Sequence, residues 1–225
     1  MVAFLALFGG MSGGMTIHQA AATSLFTFLF TGLLGTWLYQ RRRSIDWGIA
    51  VPVCAGAVLG YLGAGAAALV DPRPLSIIIA IIIVAAGVYV LVPLKSTARH
   101  RDGRGGSGEQ ILLSVVGGVS GFGSGFSGAG GPLFSVPLMV ILGYAPLAAV
   151  ATSQVLQIIA ASSGSLGNLH HGFIDWHTAA LITVFELAGL VVGVRLAHVA
   201  SPLVLRRLAA ALCVISGGLL LWRSL

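Results

Sequence analysis

Long apolar segments, separated by short polar or glycine- and proline-containing connections, make up almost the whole chain. A run of about 17 to 25 apolar residues is long enough for a helix to cross the hydrocarbon core of a bilayer. The sequence therefore predicts an all-α integral membrane protein, a multi-span helical bundle. The predicted helices are 17–39, 47–70, 75–92, 110–126, 132–144, 146–169, 176–199 and 203–222, and a short glycine-interrupted run at 2–16 precedes them.

The segment 117–137, GGVSGFGSGFSGAGGPLFSVP, interrupts this pattern with eight glycines, four serines and two prolines. Glycine and proline disfavour helix, so we expect no continuous helix through the segment and predict broken or re-entrant glycine-rich helices. Inside a bilayer, irregular backbone survives only where protein buries it or where it lines a watery cavity. The break therefore marks a candidate functional site.

Charged residues are 8% of the 225 residues, apolar residues are 57%, and the mean hydropathy is +1.00. Soluble domains carry roughly a quarter charged residues. The net charge of +6 comes from short basic clusters between apolar runs, at 41–43 and 95–109. Such clusters are orientation signals that stay in the cytoplasm, so we expect no nucleic-acid partner. The predicted division is a first transmembrane repeat (1–93), a basic cytoplasmic linker (94–109) and a second repeat (110–225).

An internal repeat appears when the sequence is shifted by 129 residues without a gap. The matches are Ala22-Thr23-Ser24 with Ala151-Thr152-Ser153, Ile45-Asp46-Trp47 with Ile174-Asp175-Trp176, and single glycines that include Gly60 with Gly189. The small-residue pairs Gly60/Ala64 and Gly189/Gly193 predict a helix-packing face in each half.

The basic clusters place the loop at Asp46 in the cytoplasm, and an even passage of 110–144 through the membrane places the loop at Asp175 outside. The two halves are then inverted repeats, an architecture that recurs in secondary transporters. Met1 falls opposite Gly130, so the first half lacks a counterpart of 110–129. Either one helix is lost or the sequence starts at an internal methionine, and the sequence leaves both open.

Three motifs together resemble the sulfite exporter TauE/SafE family of membrane permeases. They are the glycine run with a following proline, Gly128-Ala-Gly-Gly-Pro132, the AVATS run at 149–153, and the loop His170-His-Gly-Phe-Ile-Asp-Trp176. The resemblance covers almost the whole chain. It implies a multi-pass permease of the inner (plasma) membrane whose substrate is a small sulfur-containing anion such as sulfite or a sulfonate.

Hydroxyl and amide side chains inside the spans are the candidate substrate ligands. Thr152, Ser153 and Gln154 lie roughly 10 Å along their helix, and Thr23 and Ser24 take the equivalent place in the first half. In inverted repeats both sets approach the midplane, where they can bind one anion together with backbone N–H groups at the glycine break. The predicted glycine contributors are Gly128, Gly130 and Gly131. The alternative is that the hydroxyls bond to carbonyls of their own helix or join neighbouring helices.

Glu186 is the only acidic residue deep inside a predicted span. Intramembrane carboxyl groups are protonated, paired or functional, so proton coupling and a bond to a neighbouring helix are both open for it. Asn168 and His170 are candidate gate residues. Cys54 and Cys213 stand alone in apolar segments, so we expect neither a disulfide, a metal site nor a cofactor.

Rival functions are an anion channel, a membrane enzyme and a non-transporting assembly partner. The enzyme is disfavoured because no paired carboxylates, metal cluster or Ser/His/Asp set is present. The match of 123–128 to GxGxxG carries no dinucleotide function, since no βαβ unit surrounds it. The identity of the anion, the direction of transport and the oligomeric state are left open.

Overall fold

The computed structural model describes residues 16–71, 106–170 and 174–199, with scattered helical positions between 74 and 88 and between 211 and 222. The helices, numbered along the chain, are α1 (Ile17–Arg41), α2 (Trp47–Ala57), α3 (Gly60–Ala68), α4 (Ser107–Ser127), α5 (Pro132–Ile141), α6 (Pro146–His170) and α7 (Trp176–Val199). No strand occurs among the described residues. Five stretches are long and apolar enough to cross a membrane. The prediction of an all-α integral membrane protein is confirmed, whereas the predicted run at 2–16 and most of 75–92 and 203–222 lie outside the described residues.

Helices α1 and α6 form the centre of the bundle. Helix α1 begins at a capping box, in which the Thr16 hydroxyl accepts from Gln19 N–H and the Gln19 side chain accepts from Thr16 N–H. It packs against α6 and α7, and α6 also packs against α2, α3, α4 and α5. The stretches 20–25 of α1 and 151–154 of α6 are buried throughout. Both contain the hydroxyl residues of the repeat.

The directions of these helices follow from contacts at the two ends of the bundle. At one end, the start of α6 (Ala151) packs with the end of α1 (Tyr39) and with Ile45. At the other end, the N–H of Asp175, just after α6, donates to the Thr23 hydroxyl near the start of α1 at 3.1 Å. Helix α6 therefore runs antiparallel to α1.

The predicted span 47–70 is two helices, α2 and α3, that meet at Val58 and Leu59. Leu59 N–H donates to Gly56 O and Tyr61 N–H donates to Val58 O. Both bonds run three residues back, so the backbone forms a short 3₁₀-type turn between the two helices. Gly56 and Gly60 flank the turn, and glycine costs about 1 kcal/mol relative to alanine in a helix interior. The sequence analysis missed this interruption.

Helix α4 continues through Gly117–Ser127, close to the predicted helix 110–126, and the expected interruption of the glycine-rich segment is short. Only Gly128–Gly131 leaves the helix. A side chain at Gly117 would overlap the Val53 carbonyl, and one at Gly121 would overlap the Ala57 backbone. The α4 glycines therefore bring its backbone against α2 and α3, as small residues do between membrane helices.

The two small-residue faces of the repeat differ in their surroundings. Gly60 and Ala64 are buried against α4 and α6, as the sequence predicts. Gly189 and Gly193 on α7 have open space where a Cβ would lie. The described part of the chain covers the first face and leaves the second uncovered.

Helices α4 and α5 form a hairpin. Gly123 packs against the Phe134 ring near the closed end, and the Tyr144 hydroxyl after α5 donates to the Glu109 carboxylate in the first turn of α4 at 2.5 Å. Both open ends of the hairpin therefore lie at the same end of the bundle, where α6 begins. The closed end, Gly128–Gly131, points into the bundle.

Asp175 caps the first turn of α7. Its Oδ1 accepts from His177 N–H at 3.1 Å and Thr178 N–H at 3.3 Å, and its Oδ2 accepts from the Thr178 hydroxyl at 2.8 Å. The hydrogen bond from the Thr178 side chain, more than the two backbone bonds, holds the pKa of this carboxyl below its ordinary value. Together with the Asp175 N–H bond to Thr23, the cap fixes α7 against α1.

Replacing Gly121 by valine should destabilise the bundle by about 1–3 kcal/mol, because the new side chain has no room between α4 and α2. Gly65→Val is the matched control, since a side chain at Gly65 meets nothing within 4 Å. The measurement is thermal unfolding in detergent. A roughly equal change in the melting temperature of both variants would contradict the proposed role of the α4 glycines.

Replacing Asp175 by asparagine keeps a hydrogen-bond acceptor at the start of α7 and removes the ionisable carboxyl group. Since the native pKa of Asp175 is lowered, the wild-type advantage over D175N should be fully present above about pH 5 and disappear as the pH falls through the lowered native value. Unfolding temperatures of both proteins between pH 7 and pH 3 test this. An advantage that grows toward low pH would contradict it.

Candidate functional site

The four-residue turn Gly128–Gly131, here called the glycine turn, joins α4 to α5. Gly128 (φ 64°) and Gly130 (φ 87°) have positive φ, which glycine adopts without steric cost. Gly128 N–H bonds to Ser124 O at 2.8 Å, and the Ser127 hydroxyl donates to Gly123 O at 2.7 Å and accepts from Ala129 N–H at 3.2 Å. These bonds end α4 sharply.

The glycine turn lies between the two central helices. A side chain at Gly128 would meet the backbone of Ala21 on α1. One at Gly130 would meet the Phe28 ring, about two turns further along α1. A side chain at Gly131 would overlap Leu156 on α6. The backbone of the turn is therefore held against both α1 and α6.

Two backbone donors of the turn are unused. Neither the Gly130 N–H nor the Gly131 N–H forms a hydrogen bond with any described residue. Gly130 has positive φ and Gly131 is right-handed helical (φ −57°, ψ −40°). Successive residues of opposite hand turn their N–H groups toward one concave point, a geometry that binds anions. The N-terminus of the ten-residue helix α5 follows directly and adds the positive end of its dipole.

The four hydroxyl residues predicted from the repeat separate into two kinds. The Thr23 oxygen accepts from Asp175 N–H, and the Ser153 hydroxyl donates to Val150 O at 2.7 Å on its own helix. Ser24 Oγ and Thr152 Oγ1 are buried and have no hydrogen-bond partner among the residues that the structure describes. Both residues are 0% exposed, so water does not reach these two oxygens from the surface.

Ser24 and Thr152 approach the glycine turn from opposite helices. Ser24 lies on α1 between Ala21, which meets Gly128, and Phe28, which meets Gly130. Thr152 lies on α6 one helical turn before Leu156, which meets Gly131. Because α6 is antiparallel to α1, Ser24 and Thr152 lie on opposite sides of the turn: Ser24 is beside its Gly128 contact, and Thr152 is one helical turn beyond its Gly131 contact.

Helix α4 supplies serines that the sequence analysis did not single out. The face that carries Leu113 and Val116 in the core continues toward the turn as Ser120 and Ser124. Both hydroxyls are buried, and no described residue forms a hydrogen bond with them. Their four-residue spacing within the predicted helix 110–126 is the signal that could have found them.

A third helix brings a similar serine to the same level. A side chain at Gly164 of α6 would meet Leu25 of α1 and Gly125 of α4. Each of these three residues has a buried serine without a hydrogen-bond partner beside it in the chain, and the three serines are Ser24, Ser124 and Ser165. Neighbouring residues differ in height by only 1.5 Å along a helix, so the three hydroxyls occupy one layer of the bundle.

Two glutamines of α6 face α1. Gln154, a predicted ligand, packs its side chain over Gly35. Gln157, which the sequence analysis missed, donates its amide to Phe28 O at 3.0 Å and to the Thr31 hydroxyl at 2.8 Å. An amide between apolar residues deep in a span was the available signal for Gln157. It joins α6 to α1 beside Gly131.

The remaining predicted residues lie away from the glycine turn. Asn168 is buried near the end of α6, and the side chain of His170 is not among those described. Glu186 lies midway along α7, and its buried Oε2 has no hydrogen-bond partner within the described ranges. The described residues contain no group of three His, Cys, Asp or Glu side chains placed to hold a metal ion.

A groove of about 630 Å³ lies elsewhere, on the outer surface of the bundle. Its walls are Leu59 and the exposed face of α4, including Ile111, Val115 and Val119. This face looks away from Ser120 and Ser124. We therefore place the candidate site at the buried glycine turn and not in the groove.

The sequence model of the sulfite exporter TauE/SafE family matches residues 1–220. The chain is 26% identical over 212 residues to the probable membrane transporter protein YdhB of Bacillus subtilis, which covers 92% of this chain and 85% of that protein. It is 25% identical over 178 residues to the probable membrane transporter protein YunE of the same organism, covering 72% of this chain and 65% of that protein. No solved structure gives a significant match.

Replacing Ser124 by alanine should leave stability unchanged or raise it, because the variant no longer buries an unpaired hydroxyl. Ser127→Ala is the matched control: this buried serine makes two hydrogen bonds at the turn, and its loss should cost about 1 kcal/mol or more. Thermal unfolding in detergent without added anions measures both. A larger loss of stability for S124A than for S127A would show that Ser124 has a structural partner.

Proposed function

Because the chain belongs to the sulfite exporter TauE/SafE family of membrane transporters, we propose that it moves a small sulfur-containing oxyanion across the inner membrane by alternating access. Sulfite and organic sulfonates are the substrate class that we favour. The oxyanion binds at the glycine turn, in contact with the N–H groups of Gly130 and Gly131.

The observation that carries this proposal is the pair of unused backbone donors inside the bundle. A buried N–H without an acceptor costs about 1–3 kcal/mol, and a bound oxyanion supplies the missing acceptor. Ser24 and Ser124, which lie in one layer beside the turn, add hydroxyls without an acceptor among the described residues. The described side chains around the turn include no lysine or arginine, so dipoles and hydroxyls hold the charge.

The arrangement of helices supports alternating access. Helix α6 is antiparallel to α1, as expected of equivalent helices in inverted repeats. The α4–α5 hairpin has both open ends at one end of the bundle, as an even passage of 110–144 through the membrane would require. A site at the closed end of such a hairpin lies at depth, where either surface of the membrane can be given access to it.

The test is anion binding by purified protein, read as thermal stabilisation with sulfite, methanesulfonate, acetate and chloride. Wild type should be stabilised by a sulfur oxyanion at millimolar concentration, since a ligand at 100 times its Kd adds about 2.7 kcal/mol. The S24A/S124A double variant should lose most of that shift. Ser153→Ala, whose hydroxyl is bonded to its own helix, is the control and should retain it.

Equal stabilisation of wild type and S24A/S124A would show that the anion binds away from the glycine turn. Stabilisation by acetate or chloride as large as that by sulfite would reject the sulfur-oxyanion class. No stabilisation of folded wild type by any of the four anions would overturn the proposal as a whole.

A further inference from the structure

We propose that Glu186 is a proton-binding site coupled to the anion site, so that the protein transports a proton together with each anion. This inference rests on the proposed function and adds the proton gradient as the driving force of anion transport. The proton is held on the Glu186 carboxyl, and helix α1 connects that carboxyl to the glycine turn.

Glu186 lies in the middle of α7, the helix that packs on the outside of α1. Its Oε2 is buried and has no hydrogen-bond partner in the described part of the chain. An ionised carboxylate in an apolar environment is strongly disfavoured unless it is paired, and a nearby anion disfavours it further. The carboxyl group is thus a place where a proton can be stored inside the bundle.

No charged group among the described residues is positioned to neutralise Glu186. On α1, the helix packed against it, the titratable or charged side chains are His18, Tyr39 and Arg41. His18 Nε2 lies 3.1 and 3.0 Å from carbonyls at the end of α3, Tyr39 is buried against Val194, and Arg41 lies over the Trp37 ring.

On α7, His177 and Arg195 are each nine residues from Glu186, about 13 Å along the axis. On α2 and α6, which α7 approaches near its C-terminal end, no ionisable side chain other than Cys54 is described.

One turn of α1, from Thr27 to Ser24, connects Glu186 with the anion site. The polar neighbour of Glu186 on α1 is Thr27. The Thr27 hydroxyl donates to Ser24 O at 2.9 Å. Ser24 is the buried residue whose own hydroxyl is unpaired and which lies between the two α1 contacts of the glycine turn.

The direction of coupling follows from the charges. An anion at the glycine turn and an ionised Glu186 repel one another across this turn of helix, so anion binding favours the protonated carboxyl. By the same linkage, protonation of Glu186 favours anion binding. A monoanion and a proton then cross together with no net charge.

The repeat gives a comparison within the chain. The counterpart of Glu186 at an offset of 129 residues is Ala57, which is buried against Gly121 of α4. Helix packing at this position is therefore satisfied by alanine in the other half. A carboxyl group here is not a requirement of the shared architecture.

The first experiment is calorimetric binding of methanesulfonate, which stays fully ionised between pH 5 and pH 8, in buffers of different ionisation enthalpy. Wild type should take up a proton on binding at the upper end of this range, and its affinity should fall about tenfold or more as the pH rises. E186Q should bind with neither proton uptake nor pH dependence. Glu109→Gln, at the open end of the hairpin, is the matched control and should behave as wild type.

The second experiment uses proteoliposomes loaded with methanesulfonate. E186Q carries a permanently neutral side chain, so it should keep anion exchange between the two sides and lose accumulation driven by a pH gradient. A residue with a purely structural role would lower both activities together. Wild type should show both.

The outcomes separate the two proposals. Binding by wild type with no proton uptake in any buffer overturns proton coupling and leaves the anion site intact, whether or not E186Q folds. Gradient-driven accumulation by E186Q also overturns it. No binding of methanesulfonate or sulfite by wild type overturns the proposed function, and the coupling with it.

Discussion

The need to satisfy backbone hydrogen bonds away from water is the constraint on which this bundle depends. Helices meet it internally, and the described backbone leaves the helix within the bundle at two places: at the exposed residues Val58 and Leu59, and at the buried glycine turn. Its irregular backbone is enclosed by α1 and α6, and α4 and α5 close over it as a hairpin. Two N–H groups still lack partners after that enclosure. Burying them is reasonable only if a ligand completes the set, which is why the turn dominates the functional interpretation.

Glycine has two separate uses in one short segment. At Gly117, Gly121 and Gly125 it removes side chains so that helix backbones touch, and α4 stays helical because α2 and α3 pack closely on it. At Gly128 and Gly130 it allows positive φ, which ends the helix. Local composition is the same in both places, yet the predicted helices 110–126 and 132–144 leave the break between them, close to the observed Gly128–Gly131. The close packing that keeps the α4 glycines helical depends on the partner helices α2 and α3, which lie more than fifty residues earlier in the chain.

Much of the architecture follows from hydrophobic length alone, as the close agreement of α1, α6 and α7 with their predicted spans shows. The interruption at Val58 and Leu59 was missed because a single apolar run covers it. In the site, equivalent residues of the repeat have different surroundings. Thr23 is bonded to Asp175 N–H while Thr152 has no partner, and Ser153 is bonded to its own helix while Ser24 is not. Such differences arise from neighbours in space, which a repeat in the sequence does not encode.

The hydrogen bond from Gln157 to Phe28 joins residues that are 129 positions apart, which is the offset of the repeat. The two residues are therefore counterparts of one another. If a twofold rotation exchanges the halves, two counterparts can touch only beside the rotation axis, and for inverted repeats that axis lies in the plane of the membrane at its centre. Gly131 packs next to Gln157 and Gly130 next to Phe28. An anion held by the glycine turn would then be equally distant from both membrane surfaces, although only the second half of the described chain provides the turn that holds it.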